Sequence, residues 1–140
     1  HRMNNLIYSI GIDSVDIIRF LDFSALGHRQ LERIFSPEEI RYCRSAVLAQ
    51  QQAERFAVRF AAREAFWKAL CAYEGYHTIP FFTFCKSITI THLMNGAPTM
   101  QINWHLLQQY LPHHFCPTFT IHLSLTHTKT TASAFVILSD

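Results

Sequence analysis

The chain lacks any carboxylate from Gly75 to Ser139, a stretch that carries two lysines and seven histidines instead. Glycine is scarce, with four in 140 residues. That excludes collagen-like, linker-like and glycine-rich phosphate-loop designs. Long apolar runs are also missing. The longest, near Ile79 to Cys85, is interrupted by Pro80 and Thr83, well short of the roughly 20 residues a membrane helix needs. No signal peptide is expected, and His1 and Arg2 read as residues left in front of a start at Met3. The four cysteines, Cys43, Cys71, Cys85 and Cys116, form no Cys-x-x-Cys pair and no zinc spacing. They are expected to be buried thiols in a reducing cytosol, which makes the location cytoplasmic. A formal charge of +2 is too small to point to nucleic acid.

What is present is apolar mass: 49% hydrophobic and 14% aromatic, against 16% charged. Such a chain is not disordered, and 140 residues suit one domain, taken here as residues 3–140. Charge is uneven. Eight arginines lie between Arg19 and Arg63 (Arg19, Arg29, Arg33, Arg41, Arg44, Arg55, Arg59 and Arg63) among five acids. Guanidiniums gathered on one face attract a phosphate or an acidic partner; local ion pairs on a solvated face are the bland alternative.

Leu6 to Asp13 alternates, with Leu6, Tyr8, Ile10 and Ile12 on one face, and predicts a half-buried strand that runs into two acids, Asp13 and Asp16. A short helix with Ile17, Phe20 and Leu21 inward follows. Ser36-Pro37-Glu38-Glu39 is a helix start, with a capping serine, a proline at the first position and an acid closing the capping box; this helix is expected to reach about Leu48. Residues Gln50 to about Tyr73 give the clearest helix, with Ala53, Phe56, Ala57, Phe60, Ala61, Glu64, Trp67 and Lys68 on one stripe. Gly75 to Phe84 reads as loop. Strands are predicted over Lys86 to Thr91 and Thr99 to Ile102, joined at Asn95-Gly96, then a short helix at Trp104 to Leu111 stopped by Pro112. Thr118 to His127 and Thr131 to Leu138 alternate as two further strands. The fold class is α+β, an antiparallel sheet packed on a long central helix.

Three polar groups stand where pattern alone would not put them. Asp13 ends a strand, Glu64 interrupts an apolar helix stripe, and His127 ends a strand after Ser124. An acid on an apolar face is costly unless paired or bound to a cation. Glu64 and Lys68 are four apart, in the order that favours an ion pair. They are therefore either a structural pair or a metal ligand followed by a phosphate-binding cation. Two carboxylates distant in sequence, meeting around one ion, would suit magnesium, with waters and substrate phosphates completing its shell.

At these residues the sequence resembles a known family. Gly11-Ile12-Asp13-Ser14-Val15-Asp16 looks like the opening motif of the holo-[acyl-carrier-protein] synthases, the small bacterial type of 4′-phosphopantetheinyl transferase. Arg59-Phe60-Ala61-Ala62-Arg63-Glu64-Ala65-Phe66-Trp67-Lys68-Ala69 resembles the family's central helix. His122-Leu123-Ser124-Leu125-Thr126-His127-Thr128 is similar to its third motif, and Glu32 to Glu39 to the segment between the first two. The order holds from about Leu6 to Leu138. The resemblance implies the 4′-phosphopantetheinyl transferase-like fold and a reaction. Phosphopantetheine would move from coenzyme A to a serine of an apo acyl carrier protein, with release of adenosine 3′,5′-bisphosphate, in fatty acid and lipid synthesis. It also implies roles. Asp13 and Glu64 would hold Mg2+, and Asp13, Glu64, Lys68 and His127 would be catalytic. Arg59, Lys68, Pro98, Ser124, His127 and Thr128 would bind coenzyme A, and Arg19 and Arg29 an acidic carrier protein. The proton acceptor for the serine is left open between Glu64 and a metal-associated water. A homotrimer with sites at its subunit interfaces is implied, with no membrane or nucleic-acid partner.

The chain departs from the family text at four places. Arg63 stands for a lysine, Val58 for a glycine and Ala97 for the lysine of an N-G-K-P hairpin. Cys71 to His77 replaces a glycine-rich stretch. Two of these touch the region that resembles the nucleotide-binding surface. They frame one rival, a non-catalytic module that holds coenzyme A or a carrier without transfer. A second rival, a transition-metal protein, rests on nine histidines whose spacing is poor.

Overall fold

The first strand carries the aspartate of the opening motif into the interior. The structure, a computed structural model, describes residues 6–74, 79–112 and 118–140. Strand β1 (Ile7–Asp16) runs into two 3-10 turns, Ile17–Phe20 and Phe23–Ala25. Helices α1 (His28–Leu31), α2 (Pro37–Arg44), α3 (Ala49–Glu74) and α4 (Phe81–Lys86) follow. Then come β2 (Ile88–His92), β3 (Pro98–Ile102), α5 (Trp104–Leu107), a 3-10 turn Gln108–Tyr110, β4 (Thr120–His127) and β5 (Thr131–Ser139). One antiparallel sheet has the order β1-β5-β4; β2 and β3 form a separate hairpin, turned at Gly96 with φ +87°. In the larger sheet Asp13 lies opposite Ala134, and Ala134 opposite Leu125.

Helix α3 has 26 residues, none of them glycine or proline. It is rich in alanine, glutamine and arginine, which form helix readily. Sequence periodicity predicts one buried stripe, but the helix is buried nearly all round. Ala57, Ala61, Ala65 and Ala69 are fully buried, and so are Phe56, Arg63, Phe66 and Leu70. The reason is its position: the larger sheet packs on one side, and α2 and α4 on others. The buried Arg63 is satisfied at all five donors. Its Nη1 donates to Glu39 Oε2 at 2.9 Å and to the Arg59 carbonyl at 3.1 Å. Its Nη2 donates to Glu39 Oε1 and to the Ile88 carbonyl at 2.8 Å, and its Nε to the Cys85 carbonyl at 3.1 Å. Removing one partner of such a buried pair costs about 3–5 kcal/mol. Burial also pushes the thiols of Cys43 and Cys85 up to about 12, so both stay protonated and unreactive.

Some expectations need correction. The β1 face bearing Ile10 and Ile12 is the exposed one, both 57% accessible, while Gly11 and Val15 face α3. Alternation marks two faces without saying which is inward. The helix after β1 is a 3-10 turn with Ile17 and Phe20 buried and Leu21 exposed. Helix α2 stops at Arg44 rather than Leu48, and Phe81–Lys86 is helical where the sequence reads loop as far as Phe84 and strand from Lys86. The strict alternation of β4 holds, with Ile121, Leu123 and Leu125 packed against the core.

Gly11 is where strand and helix touch. A Cβ there would stand 2.0 Å from the Ala65 carbonyl oxygen and 2.9 Å from the Ala69 nitrogen. Both are backbone atoms, so no side chain can give way. Gly11→Ala should cost about 2 kcal/mol or more, read as a lower midpoint in urea unfolding; an unchanged midpoint would refute this packing.

Candidate active site

Asp13 sits on the helix side of β1, beside Gly11's contact with α3. Ser9 reinforces the contact, its hydroxyl donating to the Ala69 carbonyl at 2.7 Å. Glu64 and Lys68, one turn apart on α3, come to the same place. Lys68 Nζ lies 2.9 Å from Asp13 Oδ1 and donates to the Ile12 carbonyl at 3.1 Å. The lysine therefore reaches across to the strand and pairs with Asp13, where sequence spacing predicts a bond to Glu64. The side chain of Asp13 is only 11% exposed, and its Oδ2 is buried with no hydrogen-bond partner among the described residues. The Glu64 carboxyl is pushed above its ordinary range, first by burial and then by the negative charge of Asp13; Lys68 and Arg19 pull it back.

An orphaned carboxylate oxygen next to a second strained carboxylate is what a divalent cation would relieve. The donors are hard oxygens only, which suits magnesium with most of its shell left to water or phosphate. Among the described residues no group of three or more His, Cys, Asp or Glu stands close enough to hold a metal.

His127 is not part of this cluster. It ends β4, two strands from Asp13, about 10 Å across the sheet. Its Nε2 is 3.9 Å from Glu54 Oε1, ten residues and about 15 Å of helix before Glu64. The carbonyl of Thr128 lies 3.0 Å from His127 Nδ1. A carbonyl only accepts, so Nδ1 carries a proton and Nε2 faces Glu54. Here lies a groove of about 390 Å³, lined by Tyr42, Glu54, Arg55, Arg59, His92, Pro98 and His127 among others. Arg59 and Pro98, expected at the cofactor, are on its wall. Ser124 is not: it projects from the open face of the sheet opposite Phe135. The Thr128 hydroxyl accepts from the Thr130 and Thr131 amides and closes the β4–β5 turn.

Of the eight arginines, half turn inward or onto the fold. Arg44 donates to the carbonyls of Ser24 and Leu26, Arg55 to the Tyr42 carbonyl, Arg59 to the Arg55 carbonyl, and Arg63 is buried. Arg19, Arg29, Arg33 and Arg41 are exposed, with Arg33 over the Phe82 ring at 4.4 Å. Arg19 stands near enough to act on Glu64. Sequence reasoning missed Tyr42, Glu54, Arg55 and His92; the i, i+4 spacing of Arg55 and Arg59 is the one signal that pointed to a shared wall. His113 and His114, and residues 75–77 of the segment that begins at Cys71, lie outside the described residues.

Because Glu64 holds its proton more tightly in the fold than in the unfolded chain, its contribution is fully present below the ordinary value of 4.5 and is lost as pH rises through the raised one. Glu64→Gln should then match the metal-free wild type in melting temperature at acid pH and exceed it near neutrality. A gap that stays constant across that range would contradict the reading.

These geometries find counterparts. A family profile described as the 4′-phosphopantetheinyl transferase superfamily matches residues 9–132. The holo-[acyl-carrier-protein] synthase of Treponema denticola is 38% identical over 135 residues, 95% of this chain and 98% of that one. That of Koribacter versatilis is 37% identical over 139 residues, 96% and 100% of the two chains. The Bacillus anthracis holo-(acyl-carrier-protein) synthase, solved in complex with CoA (3′,5′-ADP), superposes with a TM-score of 0.69 at 25% identity, covering 96% and 97% of the chains. With likeness running the full length on both sides, this chain belongs to the holo-[acyl-carrier-protein] synthases, within the 4′-phosphopantetheinyl transferase superfamily.

Proposed function

We propose that the chain moves the 4′-phosphopantetheine group of coenzyme A onto a serine hydroxyl of an apo acyl carrier protein and releases adenosine 3′,5′-bisphosphate. The observation that carries this reading is the meeting of Asp13, Glu64 and Lys68 at the β1–α3 contact, with Asp13 Oδ2 left unpartnered. Asp13 and Glu64 would hold Mg2+, which when bound neutralises charge on the pyrophosphate and on the leaving bisphosphate. Lys68, half exposed, turns its ammonium to the same phosphates. Glu64, or a water beside it, takes the serine proton. Arg59, Pro98 and His127 receive the rest of coenzyme A; the Nδ1 proton of His127 is committed to Thr128, and Nε2, 3.9 Å from Glu54 Oε1, lies on the groove. Mostly these residues position and screen charge, as phosphoryl transfer requires.

The two halves of this site lie apart on one chain, which supports completion by a second copy. The open face of the β1-β5-β4 sheet supports the same reading: Ile10, Ile12 and Phe135 are exposed there, with Ser14 and Ser133 bonded to each other at 2.7 Å. Packing of that face would give the homotrimer. The exposed Arg19 and Arg29, with Ile18 and Leu21 beside the first, would take the acidic helix of the carrier. A cytoplasmic location suits the free buried thiols of Cys43 and Cys85.

Transfer is read as a gain in mass of the apo carrier on incubation with coenzyme A and Mg2+. We expect the gain with wild type and a loss of most of the rate in Asp13→Asn with its fold intact; no gain with wild type would favour a binding module. Charge reversal at both Arg19 and Arg29 should raise KM for the carrier about tenfold or more at low salt and spare KM for coenzyme A. Equal effects on both substrates would remove the arginines from the dock.

A further inference from the structure

The acidic pair at the β1–α3 contact is served by a cation of the chain's own. Lys68 Nζ donates to Asp13 Oδ1 at 2.9 Å and to the Ile12 carbonyl at 3.1 Å. It also acts on the second acid. Burial and then Asp13 push the Glu64 carboxyl up, and Lys68 is the stronger of the two cations that pull it back. One ammonium thus screens both carboxylates. It engages Asp13 Oδ1 and leaves Oδ2 buried with no partner among the described residues.

The two ends of this contact differ in freedom. The Asp13 side chain is 11% exposed and comes from a strand pressed onto the backbone of α3, so it cannot follow a moving partner. The Lys68 side chain is 52% exposed. Its neighbour Trp67 packs edge-on against the Phe84 ring, with centroids 4.8 Å apart. That anchors the helix turn and leaves the flexible four-carbon stem of the lysine as the part that swings. An ion pair with one half-exposed partner is worth little and exchanges readily.

Charge decides what can replace it. Asp13 and Glu64 offer two negative charges when both are ionised; Lys68 answers one and a divalent ion answers both. Ammonium and ion together leave a surplus positive charge and compete for the same carboxylate. A pyrophosphate removes the conflict. It gives the ammonium another anion to pair with and gives the ion oxygens to complete its shell.

We infer that Lys68 is an interlock: it holds Asp13 until a phosphate-bearing ligand draws its ammonium away, so that a divalent ion binds weakly alone and cooperatively with the donor nucleotide. The identity of that nucleotide rests on the transferase reading; the competition between Lys68 and the ion for Asp13 does not. Linkage makes the effect mutual, the nucleotide tightening the ion by the same factor as the ion tightens the nucleotide.

Mn2+ serves as the probe. Its free fraction is counted by electron paramagnetic resonance on the full chain, with and without coenzyme A and with no carrier present, and the Mn2+ held by coenzyme A alone is subtracted. In wild type, coenzyme A should tighten Mn2+ binding about tenfold or more. Without nucleotide, Lys68→Met should bind Mn2+ about threefold or more tightly than wild type, and it should gain less from coenzyme A. Lys68→Arg, which keeps the charge, should stay close to wild type. Should Lys68→Met fail to fold, Lys68→Gln carries the same expectations. An Mn2+ affinity without nucleotide that is unchanged on loss of the ammonium would overturn the interlock, and so would a gain from coenzyme A as large as that of wild type. The transferase reading fails separately, by absence of mass gain on a carrier with wild-type protein.

Discussion

The arrangement depends on one close approach, strand β1 lying directly on the backbone of α3 at Gly11. With no side chain there, the strand comes within bonding reach of the helix, and Ser9 takes up the Ala69 carbonyl next door. Two residues on, Asp13 is thereby pressed against the turn that bears Glu64 and Lys68. The alanines at 57, 61, 65 and 69 serve the same end from the helix side, since larger residues would lift the strand away. The reactive cluster is thus a by-product of backbone proximity, and its geometry is as rigid as that contact.

Helix α3 also shows how one residue type serves opposite ends. Arg63 and Arg59 are one turn apart and both buried. Arg63 has an acceptor for every donor and is spent on the fold. Arg59 keeps a donor unanswered beside an open groove. Burial alone would class them together; hydrogen-bond accounting tells them apart. The acids divide likewise. Glu39 is matched, while Glu64 stands partly buried beside Asp13, its carboxyl pushed up first by burial and then by that neighbouring charge.

Much of this was legible in the residues. The helix start at Ser36 to Glu39 and the strands at the C-terminal end follow from local rules, and Asp13, Glu64 and Lys68 were marked because each breaks a pattern. Two things were hidden for physical reasons. Alternation in β1 cannot tell an inward face from one left open, and the face bearing Ile10 and Ile12 is the open one. Periodicity in α3 measures one stripe, and a helix packed on most sides has none, so the pattern named the arginines without separating the buried Arg63 from the groove-lining Arg55 and Arg59. Tyr42 and His92 line the groove through tertiary contact alone. Ser124 and Thr128 share a segment with His127, yet one lies on an open sheet face and the other closes a turn, placements that a motif does not specify.

The Glu39–Arg63 junction has a dynamic consequence. The Glu39 carboxylate also accepts the Ser36 amide at 2.9 Å, closing the capping box of α2. Through Arg63 that acid is tied to α3, to the end of α4 and to the first residue of β2. None of these segments can open without stranding a charge in an apolar interior. That charge couples α2, the end of α4 and the first residue of β2 energetically, so the floor and one flank of the groove resist opening separately.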